Sequence, residues 1–220
     1  AFEALRENHE VRAVVLSGAG ETFCAGGDIK EMSTAFQSAE PQQNNAILDT
    51  LLRAVNTAPQ VVIAKVQGAA MGGGFGLVCV SDIAIADTTA SFGLPEVRLG
   101  LAPALISPFV IARVGLTTAR RLMLTGTRFG AQKALEYGLI HEACAPDELD
   151  ARVQAALDEV HQCSPNAIAE IKKLMTEVTT KSLDETVEYR ANLLDTLRRS
   201  EEGTEGMMAF MEKRAPKWAK

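Results

Sequence analysis

Apolar positions along the 220-residue chain change their spacing from one stretch to the next. Val11, Ala13, Val14, Val15 and Leu16 crowd a β-branched run at 11–17 that reads as a buried strand, after a polar, helix-compatible opening at 1–10. Ile47, Leu48, Leu51, Leu52 and Val55 recur at helical spacing, which predicts an amphipathic helix over 41–57 that Pro59 stops. A second strand is predicted over 61–66, with short strands at 83–86 and 90–92. Strand, helix, then strands again predicts an α/β architecture. Past Pro108 the chain reads as mostly helical, with Thr117 as a cap and Leu122, Met123 and Leu124 facing inward. Residues 126–137 read as a loop and a short helix. From Pro146 the texture changes to long amphipathic stretches at 147–163, 165–180 and 183–200 and a shorter one at 203–213. The chain is therefore expected to divide into a core at 1–145 and a helical region at 146–220. Those helices either pack on partner subunits, cap a site or cover their own core.

Two places interrupt this pattern. Lys65-Val66-Gln67-Gly68-Ala69-Ala70-Met71-Gly72-Gly73-Gly74-Phe75-Gly76 runs from an apolar strand through three glycines into a helix start. Glycine inside a helix costs about 1 kcal/mol relative to alanine, so three together imply a backbone conformation or a close approach that a side chain would prevent. First-turn amides are unpaired and carry partial positive charge, so a ligand oxygen gaining negative charge would be stabilised there; a glycine-lined packing contact is the alternative. Phe23-Cys24-Ala25-Gly26-Gly27-Asp28-Ile29-Lys30-Glu31-Met32 is a second small-residue loop entering a helix, with Asp28 as N-cap and Glu31 three residues on. Gly18-Ala19-Gly20 also follows a strand, but Phe23 stands where a dinucleotide fingerprint needs its third glycine.

Charge narrows the chemistry. From 60 to 125 only Lys65, Asp82, Asp87, Glu96, Arg98, Arg113, Arg120 and Arg121 are charged. Glu96, after Pro95, is one of three carboxylates in this dry block, and burial raises a carboxyl pKa toward the range a general acid or base needs. On these residues alone an ion pair with Arg98 or another arginine, or an acid at a helix start after the proline, is the favoured explanation of Glu96. Net charge is −6 with acids and bases interleaved, which argues against nucleic acid as a partner. Cys24, Cys79, Cys144 and Cys163 show no C-x-x-C spacing, and His9, His141 and His161 supply no metal motif. With 47% apolar content, no signal-peptide pattern and no apolar run near the roughly 20 residues a bilayer needs, a cytoplasmic protein without membrane attachment is expected. Ala1 opens inside what reads as a helix, so a preceding piece is expected.

Taken together, the loops at 23–30 and 68–74, Cys79-Val80-Ser81-Asp82-Ile83 and Phe92-Gly93-Leu94-Pro95-Glu96 strongly resemble the crotonase family, the enoyl-CoA hydratases and isomerases. The resemblance extends to Arg120-Arg121-Leu122, 134–139 and Phe210-Met211-Glu212-Lys213-Arg214. It implies a spiral of strand-strand-helix turns, with the family's first strands lacking here, and trimers or paired trimers held through the C-terminal helices. It also implies an oxyanion hole from the Gly27 and Gly73 amides, and acyl-CoA binding along Ala25, Asp28, Ile29 and Lys30, with Met71 and Pro95 beside the substrate. No separate cofactor and no metal are implied, coenzyme A being part of the substrate. Two-carboxylate hydratases of the family carry a glutamate where this chain has Gly76 and another at Glu96. Glu96 alone would then serve a hydratase or an isomerase; a lapsed acyl-CoA binder is the remaining possibility. Gly72 to Asp82 and Leu99-Gly100-Leu101-Ala102-Pro103-Ala104-Leu105-Ile106-Ser107-Pro108 look most like branched glutaconyl-CoA hydratases, which favours hydration. Arg98 is a candidate partner for a substrate carboxylate.

Overall fold

Strand β2 (Val61–Val66) is apolar at nearly every position because both of its faces are covered. Side chains alternate across a strand, so Val62, Ala64 and Val66 enter one apolar cluster while Val61 and Ile63 enter another. A computed structural model of the chain describes residues 1–8, 10–27 and 41–219, with only the backbone at 41–45. β2 lies second in a parallel sheet of order β1-β2-β4-β7, where β1 is Ala13–Ser17, β4 Ile83–Asp87 and β7 Glu142–Cys144. The register pairs Val15 with Ile63, Ile63 with Ile83 and Ile85 with Glu142. β4 repeats the two-faced pattern, with Ala84 and Ala86 on one side and Ile85 on the other.

The first face is covered by α2 (Pro41–Asn56) through Leu52 and Val55, α3 (Gly73–Val80) through Phe75 and Val78, and α4 (Ser107–Thr125) through Val110 and Leu122. The second is covered by α6 (Leu149–His161) through Leu149, Val153 and Val160, with Ile168 of α7 (Pro165–Thr180) at its margin. A short helix α1 (Phe2–Arg6) precedes β1. A smaller sheet of order β3-β5-β6 joins Ala69–Met71, Ser91–Gly93 and Phe129–Gly130. Phe129 seals that sheet, stacking on Phe92 at 5.9 Å and meeting Phe75 and Tyr137 edge-on at 6.2 and 5.3 Å. Helix α5 (Ala131–Glu136) leads to β7, and α8 (Val187–Arg199) and α9 (Glu201–Met211) close the chain.

Strands β3, β6 and β7 were not expected from the apolar pattern; each has only two or three residues and no period to read. The inward set on α4 needs one correction, since Leu122 is buried but Leu124 is 67% exposed, two positions round the helix. The break in that helix falls at Gly115 (φ 73°, ψ 158°), two residues before Thr117. The expected cap at Asp28 and the histidine at position 9 lie outside the described residues. No described helix is long and apolar enough to cross a membrane.

Lys172 of α7 ties the helical region to the sheet. Its Nζ donates to the Asp82 carboxylate at 2.6 Å and to the Gln60 carbonyl at 3.0 Å, and the same carboxylate accepts the Val62 N–H at 2.7 Å. The lysine side chain is only 9% exposed, so removing it strands a carboxylate in a poorly solvated place. Lys172→Met is expected to cost about 2 kcal/mol, because Asp82 keeps one donor and some solvent. For a chain of this size that corresponds to a melting temperature lower by about 4–8 °C in a thermal scan; an unchanged melting temperature would show the tie to be dispensable.

Candidate active site

The 23–27 loop and the three-glycine turn are held together by β3. Phe23 N–H donates to the Gln67 carbonyl at 2.8 Å, Cys24 N–H to Ala69 at 2.9 Å, and Met71 N–H returns to the Cys24 carbonyl at 3.0 Å. On its other edge β3 pairs in parallel with β5, so Ala70 stands opposite Phe92 and Met71 opposite Gly93. Gly26 then turns with φ 98°, and a Cβ there would sit 3.2 Å from the Met71 carbonyl oxygen. This brings the backbone entering Gly27 beside the strand end that leads into α3.

The glycines of that turn differ in what they need. Gly72 has φ 52° and donates its N–H to the Gly93 carbonyl at 3.1 Å. Gly74 passes so close to the first loop that a Cβ would fall 2.4 Å from the Cys24 carbonyl oxygen. Gly76 is crowded by Ile106. Gly73 differs, since among the described residues a Cβ there would meet only Leu48 Cδ2, at 4.0 Å. Packing therefore accounts for Gly74 and Gly76 but leaves open space at Gly73, the first residue of α3, whose amide has no acceptor within the helix.

Glu96 reaches this place from a 3₁₀ turn at Pro95–Leu99, directly after β5. Its carbonyl accepts the Leu101 N–H at 3.0 Å, and the turn closes at Gly100 with φ 74°. The carboxyl lies against the glycine turn, Oε1 being 3.0 Å from the point a Gly72 Cβ would occupy, so glycine at 72 serves both the positive φ and this contact. Oε2 is buried without a hydrogen-bond partner among the described residues. Burial pushes the Glu96 carboxyl above the ordinary glutamate range, partly offset by a hydrogen bond to backbone. Among the described residues Glu96 forms no ion pair. Arg98 instead donates from Nε to the Thr125 carbonyl at 3.4 Å and lies over Gly126, at the end of α4. The ion-pair explanation of Glu96 through Arg98 is thus not realised.

The remaining sequence candidates separate. Met71 is buried, its Sδ 3.3 Å from the point a Gly93 Cβ would occupy, and Pro95 is half-buried at the start of the 3₁₀ turn. Ala25 and Gly27 are exposed on the first loop. Asp28, Ile29 and Lys30 lie outside the described residues. The roles of Gly72 and Ile106 were not legible, although the positive φ at 72 is the kind of demand a glycine run advertises. A cleft of about 720 Å³ lies at the amino end of β2 between Arg6, Gln60 and Lys172, and includes neither Glu96 nor the glycines. The glycine turn and Glu96 instead follow the carboxyl ends of β3 and β5, which are paired in parallel. Among the described residues no group of three or more His, Cys, Asp or Glu side chains could hold a metal ion.

Comparison with known proteins agrees with this architecture. Residues 1–220 match the family described as enoyl-CoA hydratase/isomerase. The chain superposes on an enoyl-CoA hydratase/isomerase from Marinobacter aquaeolei with a TM-score of 0.93 at 44% identity, covering 100% of this chain and 86% of that one. Pseudomonas aeruginosa AtuE gives 0.96 at 44% identity with the same coverage. The carnitinyl-CoA dehydratase of Proteus mirabilis is 31% identical over 223 residues, covering 99% of this chain and 85% of that protein. With two stitched loops, a lone carboxyl and a match along its whole length, the chain belongs to the enoyl-CoA hydratase/isomerase family, has the crotonase α/β fold, and is an enzyme of that family.

Proposed function

We propose that this enzyme adds water across the 2,3 double bond of an enoyl-CoA thioester, with Glu96 as its only general acid–base group. The observation that carries the reading is the half-buried Glu96 carboxyl, its Oε2 buried and without a partner among the described residues, lying on the glycine turn near Gly73. The thioester oxygen would accept hydrogen bonds from the Gly27 and Gly73 amides. That oxygen gains charge as the enolate forms, and one such donor is worth about 10²- to 10³-fold in rate. Glu96 takes a proton from water as the oxygen bonds to C3. It then returns the proton to C2 as the enolate collapses to the thioester, so the net change is addition of one water. Ala25, Asp28, Ile29 and Lys30 would hold the coenzyme A moiety, with Met71 and Pro95 beside the acyl group. A relative named for a dehydratase and the glutaconyl-like run at 72–82 support water addition over isomerisation. Substrates of the branched glutaconyl type are the first to try.

A second reading is favoured by Gly76, which carries no side chain and lies under Ile106. One carboxylate suffices to move a proton between C2 and C4 of a dienolate, so a double-bond isomerase fits the same residues. Offering a panel of linear and carboxylated enoyl-CoAs and weighing the products separates the two, because hydration adds the mass of water and isomerisation adds none. Binding without any product would instead indicate an acyl-CoA binder.

Self-association through the last helices accompanies this reading. Leu183, Val187, Leu194, Phe210 and Met211 are exposed, Phe210 by 85%, and are the apolar side chains a partner subunit would cover. Trimers or paired trimers are inferred, and Phe210→Asp is expected to shift the mass by light scattering toward monomer. An unchanged mass would remove Phe210 from the contact.

Glu96→Gln is expected to lower kcat/KM by about 10²- to 10⁴-fold, the usual worth of a general acid–base group. The base must be ionised, and burial raises its pKa. Activity should therefore fall with acid through a value above the roughly 4.3 of an ordinary glutamate. Full activity in Glu96→Gln, or an acid limb at or below that value, would exclude Glu96 from the proton transfer.

A further inference from the structure

The space over Gly76 is already taken. A Cβ on residue 76 would fall 2.4 Å from Ile106 Cγ2, 3.0 Å from Ile106 Cβ and 3.5 Å from Leu52 Cδ2. The first distance is too short for carbon atoms and the second is tight, and Ile106 cannot simply step aside. It is 3% exposed, β-branched and stiff at χ1, and its carbonyl accepts the Val110 N–H at 3.0 Å where α4 begins. Gly76 in turn donates its N–H to the Gly72 carbonyl at 3.0 Å, one turn along α3 from the residue on which the Glu96 carboxyl rests. Glu96 and Ile106 therefore stand over successive turns of the same short helix. The carboxyl at one turn has an unpartnered oxygen, and the other turn carries only hydrocarbon.

We propose that Ile106 is a specificity-determining residue that confines the site to a single carboxylate, by filling the space any side chain at 76 would need. The proposal rests on the reading of Glu96 as the proton carrier. With Ile106 in place every proton passes through Glu96, and a second acidic group that would help hold the attacking water is shut out. Glycine at 76 is then a consequence of isoleucine at 106, and the two positions are coupled.

The coupling is read by thermal melting of Gly76→Ala, Ile106→Ala and the Gly76→Ala/Ile106→Ala pair. Gly76→Ala should melt clearly below the wild type, and the same change should cost much less in the Ile106→Ala background. Reaction specificity is read from the rate of water addition to an unbranched enoyl-CoA. Gly76→Glu/Ile106→Ala should hydrate about tenfold faster than Ile106→Ala alone, a part of the roughly 10²- to 10⁴-fold that a fully placed acid–base group supplies. Ile106→Gly serves if the charged variant does not fold: added formate, a free carboxylate small enough for the vacated space, should accelerate its hydration saturably and leave the wild type unaffected. Alanine at 76 costing nothing, or costing as much with Ile106 as without it, would overturn the steric coupling. A folded Gly76→Glu/Ile106→Ala that hydrates no faster, or, should that variant not fold, Ile106→Gly indifferent to formate, would overturn the control of reaction type. If wild type and Glu96→Gln are equally without turnover, the Glu96 reading is what fails. The melting cycle and any gain in Gly76→Glu/Ile106→Ala then still decide on Ile106.

Discussion

Everything at the candidate site hangs from the three residues of β3. One edge of Ala69–Met71 is bonded to the loop at Cys24, and the other to β5, whose last residue also receives the Gly72 N–H. One short strand thereby joins three segments far apart in sequence: the first loop, the glycine turn and the 3₁₀ turn that carries Glu96. Backbone hydrogen bonds are directional and their lengths vary little, so the relative placement of these segments owes little to side chains. The glycines follow from this. Gly74 and Gly26 allow two backbones to approach closely, and Gly72 allows a carboxyl to lie on the turn.

The electrostatics of Glu96 depend on what is withheld from it. A carboxylate with a nearby cation is a stable anion with little tendency to take a proton. Arg98, two residues on, is drawn instead to the carbonyl of Thr125 at the end of α4, where a positive charge also suits the helix dipole. Desolvation is then left as the largest influence on the carboxyl, and it acts in the direction proton transfer requires. The sheet uses the opposite arrangement, in which Asp82 is satisfied by Lys172 and the Val62 amide and holds two elements together. Three carboxylates lie in one dry block of sequence, and their neighbours assign them different work.

Much of the fold was legible because its long elements have strong periods. The helix at Pro41–Asn56 and those that follow Pro146 were expected within a few residues, and β2 was expected at its observed bounds. Of the strands of two or three residues only β5 was expected, at 90–92, since β3, β6 and β7 exist through pairing partners that no local pattern contains. Glu96 stood out in sequence as a carboxyl in apolar surroundings, while the choice between ion pair and proton carrier needed the side chain of Arg98. The three glycines looked alike as letters. Only their neighbours separate the crowded Gly74 from the open Gly73, and only tertiary contact reveals that Ile106 covers Gly76.

The alternation of β2 between two separate apolar clusters also bears on how such a chain can change over time. Adding or deleting one residue within Val61–Val66 would turn Val62, Ala64 and Val66 toward α6 and Ile63 toward α3, exchanging both interiors at once. Descendants of this sequence can swap one aliphatic residue for another there, but variation in length belongs in connecting turns such as those at Gly20 and Gly138, where an added Cβ would meet none of the described residues.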